Sequence, residues 1–222
     1  MVPLPPINTL PHLPLCWEFT QNKGLTLASC LNKRGFDARI AENATEATAM
    51  ALELIGNASV GIGGSLTVEQ LGLYDTLLSQ GNQVFWHWKV TPEQRPALLR
   101  QAGHTDWYLS SANAITQQGQ IINIDGNANR VAGLLFGHRQ VMVIAGKNKI
   151  QPDYDAAITH IHEVTCPNNA RRLGLNTPCR KFGRCMDCSS PDRMCRATVI
   201  LDRPTRSIER FTVILVNEEL GW

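Results

Sequence analysis

Side chains able to bind an anion concentrate between Asn113 and Lys149, in turns that connect predicted strands and helices. Two short strands folded on Gly119 are followed by an Asp-Gly-Asn turn, a helix over about residues 127–136 and an apolar strand over residues 140–145. The amino end of a helix attracts anions, and ligands of open α/β sheets usually lie where strands end. The stretch therefore predicts an anion site, although an ordinary polar turn has a similar composition. The candidate residues are Asn113, Asp125, Gly126, Asn129, Arg130, Asn148 and Lys149.

A glycine-rich loop lies between a predicted strand and a predicted helix in residues 59–81. Gly63 and Gly64 allow the backbone to approach a ligand closely, and Ser65 stands at the start of the helix. Glu69 follows four residues later, so it can share a helix face with Ser65. The loop lacks the spacing of a Walker loop or a dinucleotide fingerprint. It predicts either a generic anion-binding loop or a tight strand-to-helix turn.

Four of the seven cysteines lie within one short segment with the spacing C-x5-C-x2-C-x6-C. A CxxC pair presents two thiolates to one metal, and basic neighbours favour the thiolate form. A [4Fe–4S] cluster is the preferred prediction, zinc is the alternative, and buried thiols without metal are the remaining interpretation. Cys166, farther upstream, is either a spare ligand or a buried thiol. The predicted ligands are Cys179, Cys185, Cys188 and Cys195.

The elements that must position these residues alternate between strand and helix from residue 36 to residue 150. This order predicts an α/β fold with a mainly parallel sheet and helices on both faces. Asn43 and Glu46 have the spacing of a capping box at a helix start. A later helix is expected to open at Thr91-Pro92, with Pro96 bending it one turn inside.

Towards the carboxyl end the pattern predicts a helix that opens at Pro152-Asp153 and ends at Cys166-Pro167. Residues 167–196 have no regular period. The β-rich runs at 197–201 and 211–216 pair most simply as a hairpin at one edge of the sheet.

Composition limits the class of protein. The chain has 222 residues, 43% of them apolar and 18% charged, with a formal charge of +2. Such a chain forms one sizeable domain and is not basic enough for a dedicated nucleic-acid binder. It contains no apolar run long enough for a membrane span and begins without a signal peptide, so we expect a cytoplasmic protein. Residues 1–15 are rich in proline and predict an extended arm, with residues 16–222 forming the domain that includes the metal loop at 166–196. An arm exchanged between the two subunits of a homodimer is the alternative to a surface-wrapping tail.

The sequence resembles the LUD family, the domain of bacterial lactate-utilisation proteins B and C, over nearly everything after residue 15. The resemblance rests on four motifs in one order, and the cysteine loop together with the ending VILVNEELGW (213–222) resembles a short, single-domain branch of the family. It implies the fold of ribose-5-phosphate isomerase, glucosamine-6-phosphate deaminase and the CoA transferases, with a ligand held by the glycine loop and the strand ends. The chain lacks the ferredoxin-type cysteine run of lactate-utilisation protein B. The motifs are GIGGSLTVEQLGL (61–73), NAIT..G.IINIDGNANRVAGLLFG (113–137), GKNKI (146–150) and CPNNARRLGLNTPC (166–179).

Three functions follow from these observations. The first is a redox or accessory component in oxidation of lactate or a related small organic acid, with an anion pocket, a metal-cysteine loop and a redox protein partner. The second is an isomerase- or transferase-like enzyme for a phosphate-bearing or acyl ligand, with Glu69 or Asp125 as base and Lys149 holding the anion. The third is a non-catalytic subunit that binds a small anionic ligand and carries a structural zinc.

Overall fold

The computed structural model describes residues 21–222, with side chains from residue 26 onwards, so the predicted arm at residues 1–15 lies outside the described residues. Ten strands and nine helices are present in the described part of the chain. The strands are β1 (Asp37–Ala41), β2 (Val60–Ile62), β3 (Val84–Trp86), β4 (Trp107–Ser110), β5 (Ala114–Thr116), β6 (Ile121–Asp125), β7 (Gln140–Gly146), β8 (Ile150–Gln151), β9 (Ala197–Leu201) and β10 (Arg210–Val216). The helices are α1 (Gln21–Lys33), α2 (Ala44–Ile55), α3 (Leu66–Gln70), α4 (Leu73–Ser79), α5 (Arg95–Ala102), α6 (Asn129–Leu135), α7 (Tyr154–His160), α8 (Cys166–Arg172) and α9 (Pro178–Phe182). None of these helices is long and apolar enough to cross a bilayer.

A six-stranded sheet in the order β1-β10-β7-β4-β2-β3 forms the centre of the domain, and every neighbouring pair is parallel. The predicted mainly parallel α/β fold is therefore confirmed. A second sheet, in the order β8-β5-β6-β9, contains the predicted antiparallel pair that folds on Gly119. Gly119 has φ +82°, a left-handed conformation that favours glycine in such a turn.

Alternate residues of β7 enter two separate cores, as expected for a strand covered on both faces. Met142 and Ile144 pack with residues of α2, α3 and α4, whereas Val141 and Val143 pack with residues of α1, α6 and the second sheet. All four side chains are fully buried. Helices therefore cover one face of the large sheet, and helices together with the small sheet cover the other.

The predicted terminal hairpin is wrong. β9 joins the small sheet antiparallel to β6, while β10 lies between β1 and β7 at the centre of the large sheet. The burial patterns give the reason. β10 is buried at six consecutive positions, as a covered central strand must be, whereas β9 alternates between partly buried and exposed residues.

The sequence predicted where α2 and α5 begin, and the structure confirms the first prediction and corrects the second. Asn43 caps α2 by accepting from the Glu46 N–H (2.9 Å), as predicted, although the Glu46 carboxylate accepts from Glu42 and not from the cap residue. α5 begins at Arg95 and not at Thr91-Pro92. Pro96 consequently lies in the first turn, where its missing N–H costs no helical hydrogen bond, and it introduces no bend.

The helix that was expected to end at Cys166-Pro167 continues beyond it. α7 starts after Asp153, whose carboxylate accepts from the Ala156 N–H, and it passes through a π-helical turn at Ile161–Thr165 directly into α8. Pro167 lies in the first turn of α8, where the lack of a backbone donor is tolerated. The segment 167–196 therefore contains regular structure, namely most of α8 and all of α9.

After β10 the chain turns back across the end of β7. The Glu218 carbonyl accepts from the Lys147 N–H (3.0 Å), and the Asn148 side chain bonds both Leu220 N (3.1 Å) and Gly221 O (3.2 Å). These bonds fix the residues that bring Trp222 to the end of the parallel strands.

Gly146→Ala is expected to destabilise the domain by about 1–3 kcal/mol, because a Cβ there would lie 2.5 Å from Leu220 N and 2.6 Å from Glu218 O. Both are backbone atoms of the returning segment. Denaturant unfolding measures the change. Gly103→Ala is the matched control, since its Cβ would meet nothing closer than 3.4 Å. Equal stability of Gly146→Ala and the control would contradict the tight packing at β7.

Candidate functional site

A small polar pocket lies at the carboxyl edge of β2, β4 and β7. Its cavity volume is about 30 Å³, which is room for the head group of a ligand such as a carboxylate, so the rest of any ligand extends out of the cavity. The loop after β2, the end of β4, the turn after β7 and helix α8 all contribute. The lining residues are Gly64, Ser65, Leu66, Trp88, Ser111, Asn113, Arg130, Lys149, Thr165, Asn169, Arg172 and Trp222.

Lys149 supplies the buried amine of this pocket. Its side chain is only 4% exposed, and its Nζ donates to Ser111 Oγ (3.1 Å) and to the Ala112 carbonyl (3.0 Å). No carboxylate among the described residues forms an ion pair with it. Burial, with a smaller effect from the nearby Arg130 charge, lowers the pKa of Lys149 from 10.5 to about 7. A buried amine held only by neutral oxygens retains its capacity to meet an anion.

Arg130 crosses the pocket from the start of α6. Its Nη2 donates to the Ile124 carbonyl (2.7 Å) and to Asn113 Oδ1 (3.0 Å), and its Nε lies 3.6 Å from Asp125 Oδ2. Asn113 Oδ1 also accepts from the Ile124 N–H (2.8 Å). The guanidinium is thus held in place by β6 and by the residue that precedes β5.

Three buried donors of lining residues have no hydrogen-bond partner within the described part of the chain: the Thr165 hydroxyl, the Trp222 indole N–H and Arg130 Nε. Buried polar groups of this kind are nearly always satisfied in folded proteins, by protein, water or ligand. Arg172 stands above Trp88 with its guanidinium carbon 4.4 Å from a ring centroid, a cation–π contact. The pocket thus combines two guanidinium groups, the basic amine of Lys149 and three donors without a partner, which suits an anion.

The glycine loop shapes the pocket but contributes few ligand contacts of its own. A Cβ at Gly63 would lie 3.0 Å from the Tyr108 hydroxyl and 3.3 Å from Arg130 Cγ, and one at Gly64 would touch Trp88. The Ser65 hydroxyl accepts from the Val68 N–H (3.2 Å) and so caps α3. The loop therefore serves close packing and a helix start.

Several predicted residues lie outside the pocket. Glu69 is exposed on α3 and is not among the lining residues, but it acts on one of them: burial lowers the pKa of Arg172, and the charge of Glu69 opposes this with a smaller raising effect. Asp125 accepts from the N–H groups of Gly126 (2.8 Å) and Val131 (3.3 Å), so it shapes the turn into α6. α6 has seven residues and no side-chain cap, which leaves little support for an anion at its start.

The remaining predicted residues, Gly126, Asn148 and Asn129, pack or form hydrogen bonds within the fold. Gly126 packs against the backbone of Met194 in the cysteine loop, and Asn148 fixes the returning segment 217–222. The backbone of Asn129 accepts from the Tyr108 hydroxyl (3.1 Å), while its side-chain amide is buried without a partner among the described residues.

Sequence reasoning missed half of the pocket. Ser111, Trp88, Thr165, Arg172 and Trp222 are far from Lys149 in sequence and have no local signal for a ligand site. Arg172 lies within the CPNNARRLGLNTPC motif, which was the available indication that α8 belongs to the site.

The cysteine loop begins after α8. Sγ of Cys195 lies 3.3 Å from Sγ of the buried Cys166. Their contact makes the two thiols differ in acidity: with burial it raises the pKa of Cys166, and it lowers the pKa of Cys195. The charges of Cys185 and Cys179 add smaller effects on Cys166.

Arg193 holds the loop together through the carbonyls of Cys188 (2.7 Å) and Cys195 (2.8 Å) and through an ion pair with Asp187 (2.8 Å). No three His, Cys, Asp or Glu side chains in the described residues are placed so that they could hold a metal ion. The close sulfur pair includes Cys166, which was not in the predicted ligand set. The metal centre of four cysteines stays a prediction.

The fold and the pocket define an α/β protein with its candidate ligand site at the carboxyl edge of a parallel sheet. The model of the LUD domain matches residues 27–216. The chain belongs to the LUD domain family, as the sequence motifs indicated. The crystal structure of a DUF162 family protein from Deinococcus radiodurans is similar in fold, with a TM-score of 0.54 and 15% identity over 90% of this chain and 100% of that chain. The comparison with curated proteins found no match.

Lys149→Met is expected to flatten the pH dependence of stability between about pH 7 and pH 10.5. In this window the unfolded chain keeps a proton on Lys149 and the folded chain does not, so the free energy of unfolding of the wild type rises with pH. The full effect is at most about 5 kcal/mol. Methionine has no amine, so the variant lacks this rise.

Unfolding curves of the two proteins at both ends of the window measure the difference. Lys147→Met, in the same turn but exposed, should keep the wild-type pH profile. Parallel profiles for wild type and Lys149→Met would contradict a neutral buried amine.

Proposed function

We propose that the Lys149 pocket binds the carboxylate of a small organic acid. In this proposal the protein is a redox or accessory component in oxidation of lactate or a related 2-hydroxy acid. Membership of the LUD domain family supports a lactate-utilisation role in general terms. The observation that carries the proposal is the excess of donors in the pocket: Lys149, Arg130 and Arg172 meet there with the unpartnered Thr165 and Trp222 groups.

Electrostatics favours an anion over a neutral ligand. Asp125 is the one carboxylate that forms an ion pair with a lining residue in the described part of the chain, and it is already engaged by two backbone N–H groups. Arg172 has the charge of Glu69 near it but no ion pair among the described residues, so a carboxylate that entered the pocket would accept from Arg172 and several other donors at once.

An isomerase- or transferase-like activity is less well supported. It requires a carboxylate base beside the ligand, whereas Glu69 is exposed outside the pocket and Asp125 is held in the turn before α6.

Arg172→Gln is expected to weaken binding of lactate or pyruvate about ten-fold or more, because a charge-assisted hydrogen bond contributes about 1.5–3 kcal/mol. Titration calorimetry on the full chain measures the affinity. Arg171→Gln is the matched control, since its neighbouring guanidinium bonds Asn168 and does not line the pocket. If both variants bind as the wild type does, or if neither acid binds the wild type, the pocket is not a carboxylate site.

We also propose that Cys179, Cys185, Cys188 and Cys195 hold a metal centre, a [4Fe–4S] cluster in preference to zinc. Support comes from their spacing and from the basic side chains between residues 171 and 196, seven against two acidic ones. Since the sulfurs as placed form one close pair, metal binding would have to draw the loop together, as coupled binding and ordering often do.

The visible spectrum and metal content of anaerobically purified protein test this proposal. A cluster gives a broad brown absorbance, and zinc gives a colourless protein with stoichiometric metal. Cys188→Ser should lose the metal and retain the α/β core, whereas Cys30→Ser in α1 should keep it. Metal-free wild type, or full occupancy in Cys188→Ser, would leave the buried-thiol interpretation.

A further inference from the structure

The amine of Lys149 has the surroundings of a nucleophile as well as those of a ligand-binding group. A neutral amine has two N–H donors and one lone pair. Its two acceptors, Ser111 Oγ and the Ala112 carbonyl, account for both donors. The remaining position on the nitrogen is the lone pair, and Lys149 lines the pocket. A lysine in this state is a nucleophile for carbonyl carbon.

The amine is kept neutral by its surroundings. The charged groups around it are Arg130 and, on the α7 side, His160, whose own pKa is lowered by burial and by the Lys149 charge. No acidic side chain of the described residues forms an ion pair with Lys149. Lysines on the surface, by contrast, are protonated at neutral pH and react slowly.

The other side chains of the pocket indicate which chemical group must lie next to the carbonyl in the ligand. Arg130, Arg172 and the Thr165 hydroxyl stand around the same cavity and suit a carboxylate. Because Lys149 lines the same small cavity as these groups, the carbonyl carbon must lie close to the carboxylate in the ligand. A 2-oxo acid meets these conditions, and it is also the product class of 2-hydroxy acid oxidation.

We propose that Lys149 forms an imine with a small 2-oxo acid bound in this pocket. The inference rests on the carboxylate site proposed above and adds a covalent step to it. The Nζ lone pair forms a bond to the keto carbon while the carbonyl π electrons move to oxygen. A proton passes from nitrogen to that oxygen, giving a carbinolamine.

Loss of water then completes the imine. The carbinolamine hydroxyl takes up a second proton from solvent and leaves as water, while the nitrogen lone pair forms the C=N bond and the nitrogen keeps its own proton, so the product is a protonated imine. Nothing is oxidised or reduced. Ser111 Oγ, 3.1 Å from Nζ, is placed to relay the proton. The carboxylate of the ligand offsets the charge of a protonated imine that forms beside Arg130.

Reductive trapping tests the proposal on the full chain. Pyruvate and cyanoborohydride should convert the imine to a stable secondary amine, giving one adduct per chain that peptide mapping places on Lys149. Lactate has no carbonyl carbon and should give no adduct. Labelling should fall as the pH drops below about 7, where the amine becomes protonated.

Two variants give the decisive comparison. Lys149→Arg keeps a cation without a nucleophilic amine and should lose the adduct, while Lys147→Arg in the same turn should keep it. Adducts spread over surface lysines, or equal labelling in Lys149→Arg, overturn the imine. Calorimetry separates the two proposals: pyruvate binding without an adduct leaves the carboxylate site and rejects the imine, and no binding of either acid rejects both.

Discussion

The hydrogen bonds of one buried amine govern the arrangement of the site. Removing a lysine from water is costly unless its charge is compensated or lost. Here the amine is held by Ser111 and Ala112, which follow β4, while the lysine itself follows β7. The parallel pairing of β4 with β7 brings these two strand ends together. The position of the pocket thus depends on the register between β4 and β7. Because Lys149 is held only by neutral oxygen atoms, no carboxylate of the described residues takes the place of a bound anion.

The position of β10 determines where the residues after it lie, including Trp222 of the pocket lining. Because this strand is inserted between β1 and β7, the residues after it emerge beside the end of β7 and not at an edge of the sheet. The Asn148 side chain then fixes the returning chain through Leu220 and Gly221. An edge hairpin, as the sequence suggested, would have carried Trp222 away from Lys149. The topology therefore decides which side chains can meet in the site.

Local patterns predicted the parts of the structure that depend on neighbouring residues. The glycine loop, the turn at Gly119 and the buried strand β7 were all evident from residue type and period, and Lys149 was identified because it follows that strand. Long-range pairing was not accessible in the same way. The tetrapeptide Thr-Val-Ile-Leu occurs in both β9 and β10, yet one copy lies in the small sheet and the other at the centre of the large one. Arg172 and Thr165 were missed because Pro167 suggested a helix end, whereas the helix runs on through a π-helical turn.

That continuation joins the two regions that were singled out from the sequence. A π-helical turn widens the helix, and such turns are frequent at functional sites. In this chain the turn ends at Thr165, whose hydroxyl belongs to the pocket, and the next residue is Cys166, whose sulfur contacts Cys195. Arg172 closes the same helix at the rim of the pocket. The sulfur of Cys166 and the pocket residues Thr165 and Arg172 therefore lie on one continuous helical segment. The cysteine loop and the anion pocket are neighbours through α8, which is why the two regions that the sequence singled out separately lie side by side in the fold.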